Sequence, residues 1–259
     1  MSQIENNATV IRFEQLPDCL FRIWVKPDWD GTAAVWKPGQ FLRLGVLSES
    51  ANRKTLRAMT IIDVQDGVFE FYMVAVTNGV TSPRLAALQP GQRCCLEPNI
   101  TGRFTMENLP VGEHLDLWMM GTGTGIAPYL AMLKYDTAIL KQYRDILFVH
   151  SVRHTTHLCY QQEIEQYAQQ FSSFQYVPVV TRPSVSTPAP KVLTERIPVL
   201  LRDRKLETHT KRNFTATDSV VMLCGHPGMI SQSIAQLEPR GLQRHRRRRP
   251  GNIVAERYF

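Results

Sequence analysis

The sequence predicts a β plus α/β architecture: a six-stranded antiparallel barrel followed by a five-stranded parallel sheet flanked by helices. Three observations carry this. Over the first hundred residues, short apolar strands recur between turn dipeptides, the pattern of a small antiparallel barrel. From Leu115 onward the rhythm changes to strand, helix, strand, which implies a parallel sheet covered by helices. At the change lies LDLWMMGTGTGIAPYL, residues 115–130, in which an apolar run meets three glycines and then a helical apolar pattern opened by Pro128. The break falls near Leu109-Pro110, giving domains 1–109 and 110–259.

The barrel strands are read at Val10–Leu16, Leu20–Pro27, Gln40–Leu47, Leu56–Asp63, Val68–Val76 and Arg93–Pro98. Pro17-Asp18, Asp28 to Gly31, Pro38-Gly39, Asp66-Gly67 and Pro90-Gly91 supply the turns between them. Phe69, Phe71, Met73 and Ala75 alternate with Glu70 and Tyr72, as a half-buried strand requires. Ser82-Pro83 offers an N-cap hydroxyl and a first-turn proline for a short helix through Leu88. In the second half, strands are expected at Leu115–Gly121, Asp145–Val152, Gln175–Arg182 and Ser219–Gly225. Helices are expected at Ala127–Tyr143, Tyr160–Phe171 and Pro227–Leu237. Ser184 to Pro190 reads as a polar loop and Arg202 to Asp218 as a long exposed connection, while Ala255–Phe259 offers a last strand.

Composition narrows the function classes. The 259 residues are 43% hydrophobic and 20% charged, an ordinary globular balance. No apolar run approaches the roughly 20 residues of a membrane span, and the N-terminus lacks the features of a secretory signal, so a cytoplasmic protein is expected. The five cysteines, Cys19, Cys94, Cys95, Cys159 and Cys224, form neither zinc-ligand nor iron–sulfur spacings, so no metal site is expected. A net charge of +7 favours acidic partners. Part of it lies in Arg244-His245-Arg246-Arg247-Arg248-Arg249, a run that by itself reads as a solvated surface or a nucleic-acid patch.

In an open parallel sheet, ligands bind beyond the carboxyl ends of the strands. Those ends carry Gly121 to Gly125, Arg153, Arg182 and Cys224-Gly225-His226-Pro227. The glycine run is not the G-x-G-x-x-G dinucleotide fingerprint, because Ile126 stands where its last glycine belongs. Arg153 occupies the place after the second strand where nicotinamide-binding sheets carry an acid for a ribose 2′-hydroxyl or an arginine for a 2′-phosphate. Arg182 ends the next strand and Arg196 follows, so three arginines can converge on one dianion.

Several short motifs then fall in one order. Arg57-Ala58-Met59-Thr60 resembles the R-x-Y-[ST] flavin motif of ferredoxin–NADP⁺ reductases, and Gly79-Val80-Thr81-Ser82 their G-x-x-S pyrophosphate motif. Residues 121–128 resemble their nicotinamide-domain loop, and Cys224-Gly225-His226-Pro227-Gly228-Met229 is similar to their C-G-x-P-x-M. SPRLAAL at 82–88, PYL at 128–130, and RRRPG followed by A-E-x-Y-aromatic at the C-terminus resemble the bacterial ferredoxin/flavodoxin reductase subclass. The likeness spans residues 38 to 259.

What the resemblance implies is a two-domain flavoenzyme. FAD would be held in the barrel by Arg57, Ala58, Met59, Thr60, Phe71, Tyr72, Met73, Val74, Val80, Thr81, Ser82, Thr124 and Phe259. NADP(H) would be held by Gly123, Thr124, Arg153, His154, Thr181, Arg182, Arg196, Cys224 and Gly225. Thr60, Cys224 and Glu256 are the implied catalytic set: a hydroxyl near flavin N5, a thiol beside the nicotinamide, and a carboxyl for proton relay. The implied activity is hydride transfer from NADPH to flavin, then single-electron transfer to an acidic ferredoxin or flavodoxin, by a monomer without nucleic-acid partners. A related reductase serving an oxygenase or free acceptors is the alternative, and a non-enzymatic nucleic-acid or regulatory module the remote one. Two positions depart from the pattern: Met59 replaces the motif tyrosine, removing ring stacking but keeping a sulfur–aromatic contact, and Phe259 stands where relatives often have tryptophan.

Overall fold

The computed structural model describes residues 6–31, 35–48, 53–183, 192–246 and 248–258. The chain divides into two compact units, Met1–Thr105 and Met106–Phe259; Leu109-Pro110, the break in the sequence pattern, lies inside the second. Among the described residues no helix is long and apolar enough to cross a membrane.

The first unit is antiparallel. Its strands are β1 (Ala8–Gln15), β2 (Leu20–Pro27), β3 (Phe41–Ser48), β4 (Arg53–Thr60), β5 (Asp63–Gln65), β6 (Val68–Val74) and β7 (Arg93–Leu96), in the spatial order β4-β3-β7-β1-β2-β6-β5. The strands enclose a core of Phe21, Ile23, Leu42, Leu44, Phe69, Phe71, Leu85 and Leu96. Seven strands appear where six were expected, because the stretch read as Leu56–Asp63 divides. The chain leaves β4 at Thr60, and β5 then pairs with β6 across Asp66-Gly67. Both turn residues have positive φ, 51° and 74°, as a two-residue hairpin turn demands. Helix α1 (Ser82–Ala86) is shorter than expected, and its N-cap is Thr81 rather than Ser82. The Ser82 hydroxyl is engaged elsewhere, accepting from the Val76 amide at 3.0 Å and closing the loop 76–82. β6 is also buried on both faces, since Arg22 covers Glu70 through a 2.9 Å hydrogen bond.

The second unit holds a five-stranded parallel sheet in the order β10-β9-β8-β11-β12. Its strands are β8 (Asp116–Thr122), β9 (Asp145–Val152), β10 (Phe174–Val180), β11 (Ser219–Gly225) and β12 (Ile253–Arg257). β8, β9 and β11 are central and buried almost throughout, which is why they read as continuous apolar runs. The helices are α2 (Ala127–Tyr135), α3 (Thr137–Leu140), α4 (Gln161–Ala168), α5 (Ile197–Arg202), α6 (Lys205–Thr210) and α7 (Pro227–Leu237). The expected Ala127–Tyr143 helix breaks at Asp136, which leaves the helical conformation. The connection read as exposed from Arg202 contains α6, with Leu206, Glu207, Thr210 and then Phe214 buried. Arg240 makes this possible by pairing with the buried Glu207 at 2.8 Å. The expected last strand begins earlier, at Ile253; the Ser184–Pro190 loop lies outside the described residues.

Candidate functional site

In the first unit, the residues from the flavin-like motifs fall along β4, β6 and the loop before α1. Arg57 and Ala58 are exposed; the Arg57 guanidinium donates to the Leu56 carbonyl at 2.9 Å. Met59 is half-buried against the barrel core, and Thr60 is buried at the end of β4. Phe71 and Met73 point into the core, so they can offer a ligand only their backbone. β5 pairs with Val68–Glu70 alone, and among the described residues no strand covers that side of β6 from Phe71 to Val74. Beyond it, Val74, Val76 and Val80 are 37%, 45% and 53% exposed. Among them lies Thr81, whose buried Oγ1 has no hydrogen-bond partner among the described residues. Apolar side chains left in water beside an unmet buried hydroxyl are what a flat, polar-edged ligand would cover. These features fit a flavin nucleotide. Phe259 lies outside the described residues.

In the second unit, the candidates gather at the carboxyl ends of the parallel strands. β8 ends at Thr122 and passes through a 3-10 turn, Gly123–Ile126, into α2. The turns after β8 and β11 are nested. The Gly125 Cα lies so close to β11 that a Cβ there would sit 2.6 Å from the Cys224 carbonyl oxygen. Conversely, Gly225, at φ +125°, faces Thr122, whose Oγ1 accepts from the His226 amide at 2.9 Å. Below them the buried Tyr129 hydroxyl lies 3.1 and 2.9 Å from the Met120 and Met222 carbonyls, tying β8 to β11. Gly123 differs: it is left-handed, at φ +54°, and a Cβ there would meet nothing within 4 Å. Gly125 is therefore a packing glycine, and Gly123 and the half-buried Thr124 border open space.

Cys224 is fully buried, and burial raises its thiol well above the usual range, with a hydrogen bond from Tyr258 opposing this only in part. In register beside it on β12 stands Glu256. Its Oε2 is buried without a partner among the described residues, and desolvation pushes the carboxyl up to about 7. Cys224 and Glu256 are thus adjacent, protonated or readily protonated groups at one strand end.

The third group is basic. Arg153 and His154 follow β9, and Thr181 and Arg182 follow β10; the Arg182 amide donates to the Arg153 carbonyl at 2.8 Å. Leu193 bridges Val179, returning the chain to β10, so that Arg196 at the start of α5 reaches the same corner of the sheet. All three arginines are exposed, and none has an ion pair among the described residues. Three unpaired guanidiniums at one corner suit a phosphate dianion.

Sequence reasoning missed Thr122, Tyr129, His150 and Tyr258. His150 is wholly buried on β9, 3.2 Å through Nδ1 from the Tyr176 hydroxyl, and burial lowers it to about 3, so it is neutral. A histidine directly after the fully apolar run 146–149, inside a central strand, is the available signal.

A chain with this barrel, this sheet and these strand-end turns has the architecture of flavin-dependent pyridine-nucleotide reductases. A family model described as the oxidoreductase NAD-binding domain matches residues 119–234. A flavodoxin/ferredoxin–NADP reductase of Buchnera aphidicola is 31% identical over 97% of this chain and 98% of its own. The flavodoxin/ferredoxin–NADP reductase of Escherichia coli is 32% identical over 96% of this chain and 97% of its own. A crystal structure of a ferredoxin NADP⁺ reductase from Neisseria gonorrhoeae with bound FAD and NADP superposes with a TM-score of 0.86 at 28% identity, covering 98% of both chains. The chain belongs to the flavodoxin/ferredoxin–NADP reductase family.

Proposed function

We propose that the protein is an FAD-dependent reductase that takes hydride from NADPH and passes single electrons to a ferredoxin or flavodoxin. The observation that carries this reading is likeness over the whole chain to a reductase whose structure holds both FAD and NADP. FAD, when bound, would supply the step between two-electron and one-electron chemistry.

The chain's own residues bind, orient and manage protons. Arg57 offsets the charge of the FAD diphosphate, while the Thr81 hydroxyl gives it a hydrogen bond now unmet and Ser82 holds the loop in place. Backbone groups of Phe71 to Val74 contact the flavin along the uncovered side of β6, and Met59 and Thr60 border it. Arg153, Arg182 and Arg196 take the 2′-phosphate of NADPH, assisted by His154 and Thr181. Gly123 leaves room for the nicotinamide, Thr124 contacts it, and Cys224 and Gly225 form its far wall. A carboxyl near 7 suits Glu256 to exchange a proton at neutral pH. The protein acts as a cytoplasmic monomer, and its +7 charge favours an acidic carrier.

The test is the absorption spectrum of the purified protein. Flavin bands that bleach on anaerobic addition of NADPH, and far more slowly with NADH, are expected. A colourless protein that cannot be loaded with FAD would end the proposal.

A further inference from the structure

The chain has a histidine, His226, at the variable position of its C-G-x-P-x-M motif. His226 follows β11 directly and is exposed. Its Nδ1 accepts a hydrogen bond from the Gly228 amide at 3.0 Å, making the imidazole the N-cap of α7. A ring nitrogen that accepts carries no hydrogen, so this geometry requires the neutral ring with its hydrogen on Nε2. The backbone amide of the same residue donates to Thr122 Oγ1 at 2.9 Å. One residue therefore joins the end of β8, the end of β11 and the start of α7.

Among the described residues nothing nearby replaces this cap. The first turn of α7 has no acidic residue, and Pro227 contributes no amide hydrogen. The titratable or charged groups on the packed strands are Cys224 on β11 and Glu256 and Arg257 on β12, followed by Tyr258, whose amide donates to the Gly225 carbonyl at 2.9 Å. The 3-10 turn Gly123–Ile126 has none. Protonating Nδ1 removes the acceptor for the Gly228 amide and sets a positive charge against the positive end of the helix dipole.

We propose that His226 is a proton-sensitive positioning residue: neutral, it caps α7 and holds the Cys224–His226 turn against Thr122, and protonated, it frees that turn and weakens the grip on NADPH. The coupling to NADPH rests on the functional reading above; the cap does not. The sign follows from the geometry. The folded state with the cap intact requires the neutral ring, so the contribution is present at high pH and lost in acid.

The experiment compares the full-length, FAD-loaded wild type with His226→Asn and His226→Ala from about pH 8 to about pH 5.5, the range in which imidazoles change charge. Asparagine keeps an acceptor for the Gly228 amide and does not titrate. In thermal melts, wild type should match His226→Asn at high pH and fall toward His226→Ala in acid, by about 2–4 °C for a unit of this size. In NADPH oxidation with a neutral quinone acceptor, wild-type kcat/KM should fall about fivefold more than that of His226→Asn across the range, the fold-change of one lost cap. The 2′-phosphate titrates over the same range, but equally for all three proteins, so the ratio isolates His226. Parallel pH profiles for wild type and His226→Asn in either measurement overturn the proposal. If none of the three oxidises NADPH, the reductase reading falls, and the melting series still decides the cap.

Discussion

Arg153, Arg182 and Arg196 gain nothing from the protein around them: each is exposed and without an ion pair among the described residues. Removing one should barely affect folding and should show only in binding. A charge-assisted hydrogen bond to a dianion contributes about 1.5–3 kcal/mol, roughly ten- to a hundredfold in affinity. Arg153→Ala or Arg196→Ala should raise KM for NADPH by that factor and leave KM for NADH within about twofold. Steady-state kinetics with both nucleotides checks this, and equal losses would refute the 2′-phosphate assignment. Glu256 is the opposite case, a carboxyl held in place at a cost. Its folded value of about 7 exceeds the ordinary 4.5, so the folded state binds the extra proton. Stability is then full below about 4.5 and is lost as pH rises toward about 7, by at most about 3 kcal/mol. Glu256→Gln should abolish that decline, as urea titrations at pH 4.5 and 7.5 would reveal. The place of Arg153 just past β9 could be read from the sequence because a strand end is a fixed address in such a sheet. The unmet Thr81 hydroxyl could not, because burial without a partner is set by packing that the local sequence does not show.

The two glycines of the turn after β8, Gly123 and Gly125, have separate duties at the level of the element. Gly125 lets the turn nest against β11, and an added methyl would meet backbone, which cannot move aside cheaply. Gly125→Ala should therefore destabilise the second unit by about 1–3 kcal/mol. At roughly 2–4 °C per kcal/mol, calorimetry would see a clear fall in Tm. Gly123→Ala has room for its methyl and incurs only the left-handed backbone cost of about 1–2 kcal/mol, but the methyl projects into the space assigned to the nicotinamide. Its main effect should be on NADPH binding, measured by titration with NADP⁺. A larger effect of Gly125→Ala on binding than on Tm would reverse these roles. The sequence pattern located this turn, since strand, glycines and helix follow one another locally. It missed α6 because RDRKLETHTKRN is polar apart from Leu206, and the residue that lets Glu207 be buried is Arg240, far along the chain. It missed α5 because IPVLLR is only six residues, too short an apolar stretch to show a helical period. It also missed β5, where Asp66-Gly67 marked the turn but a three-residue strand left little pattern to read.

For the whole molecule, the quantity that matters is charge. The chain carries +7, and Arg246, Arg248 and Arg249 are exposed without ion pairs among the described residues. Arg246 and Arg249 exchange backbone hydrogen bonds at 2.9 Å, so this stretch is a tight turn, whereas Arg244 is paired with Glu238. Unpaired charge at the tip of a turn contributes little to folding and much to the long-range field. Such a field acts on the rate of encounter, and salt screens it over about 10 Å at 0.1 M. Reduction of an acidic ferredoxin or flavodoxin at saturating NADPH should therefore slow by about tenfold or more between about 20 and about 500 mM salt. Reduction of a neutral quinone should change far less. Arg248→Glu combined with Arg249→Glu should reproduce much of that loss at low salt and flatten the salt dependence. The same variants also report on flavin content: unchanged flavin with slower carrier reduction assigns these arginines to docking. Loss of flavin with an unaltered salt slope would assign them to the cofactor and leave the remaining surface charge to attract the carrier.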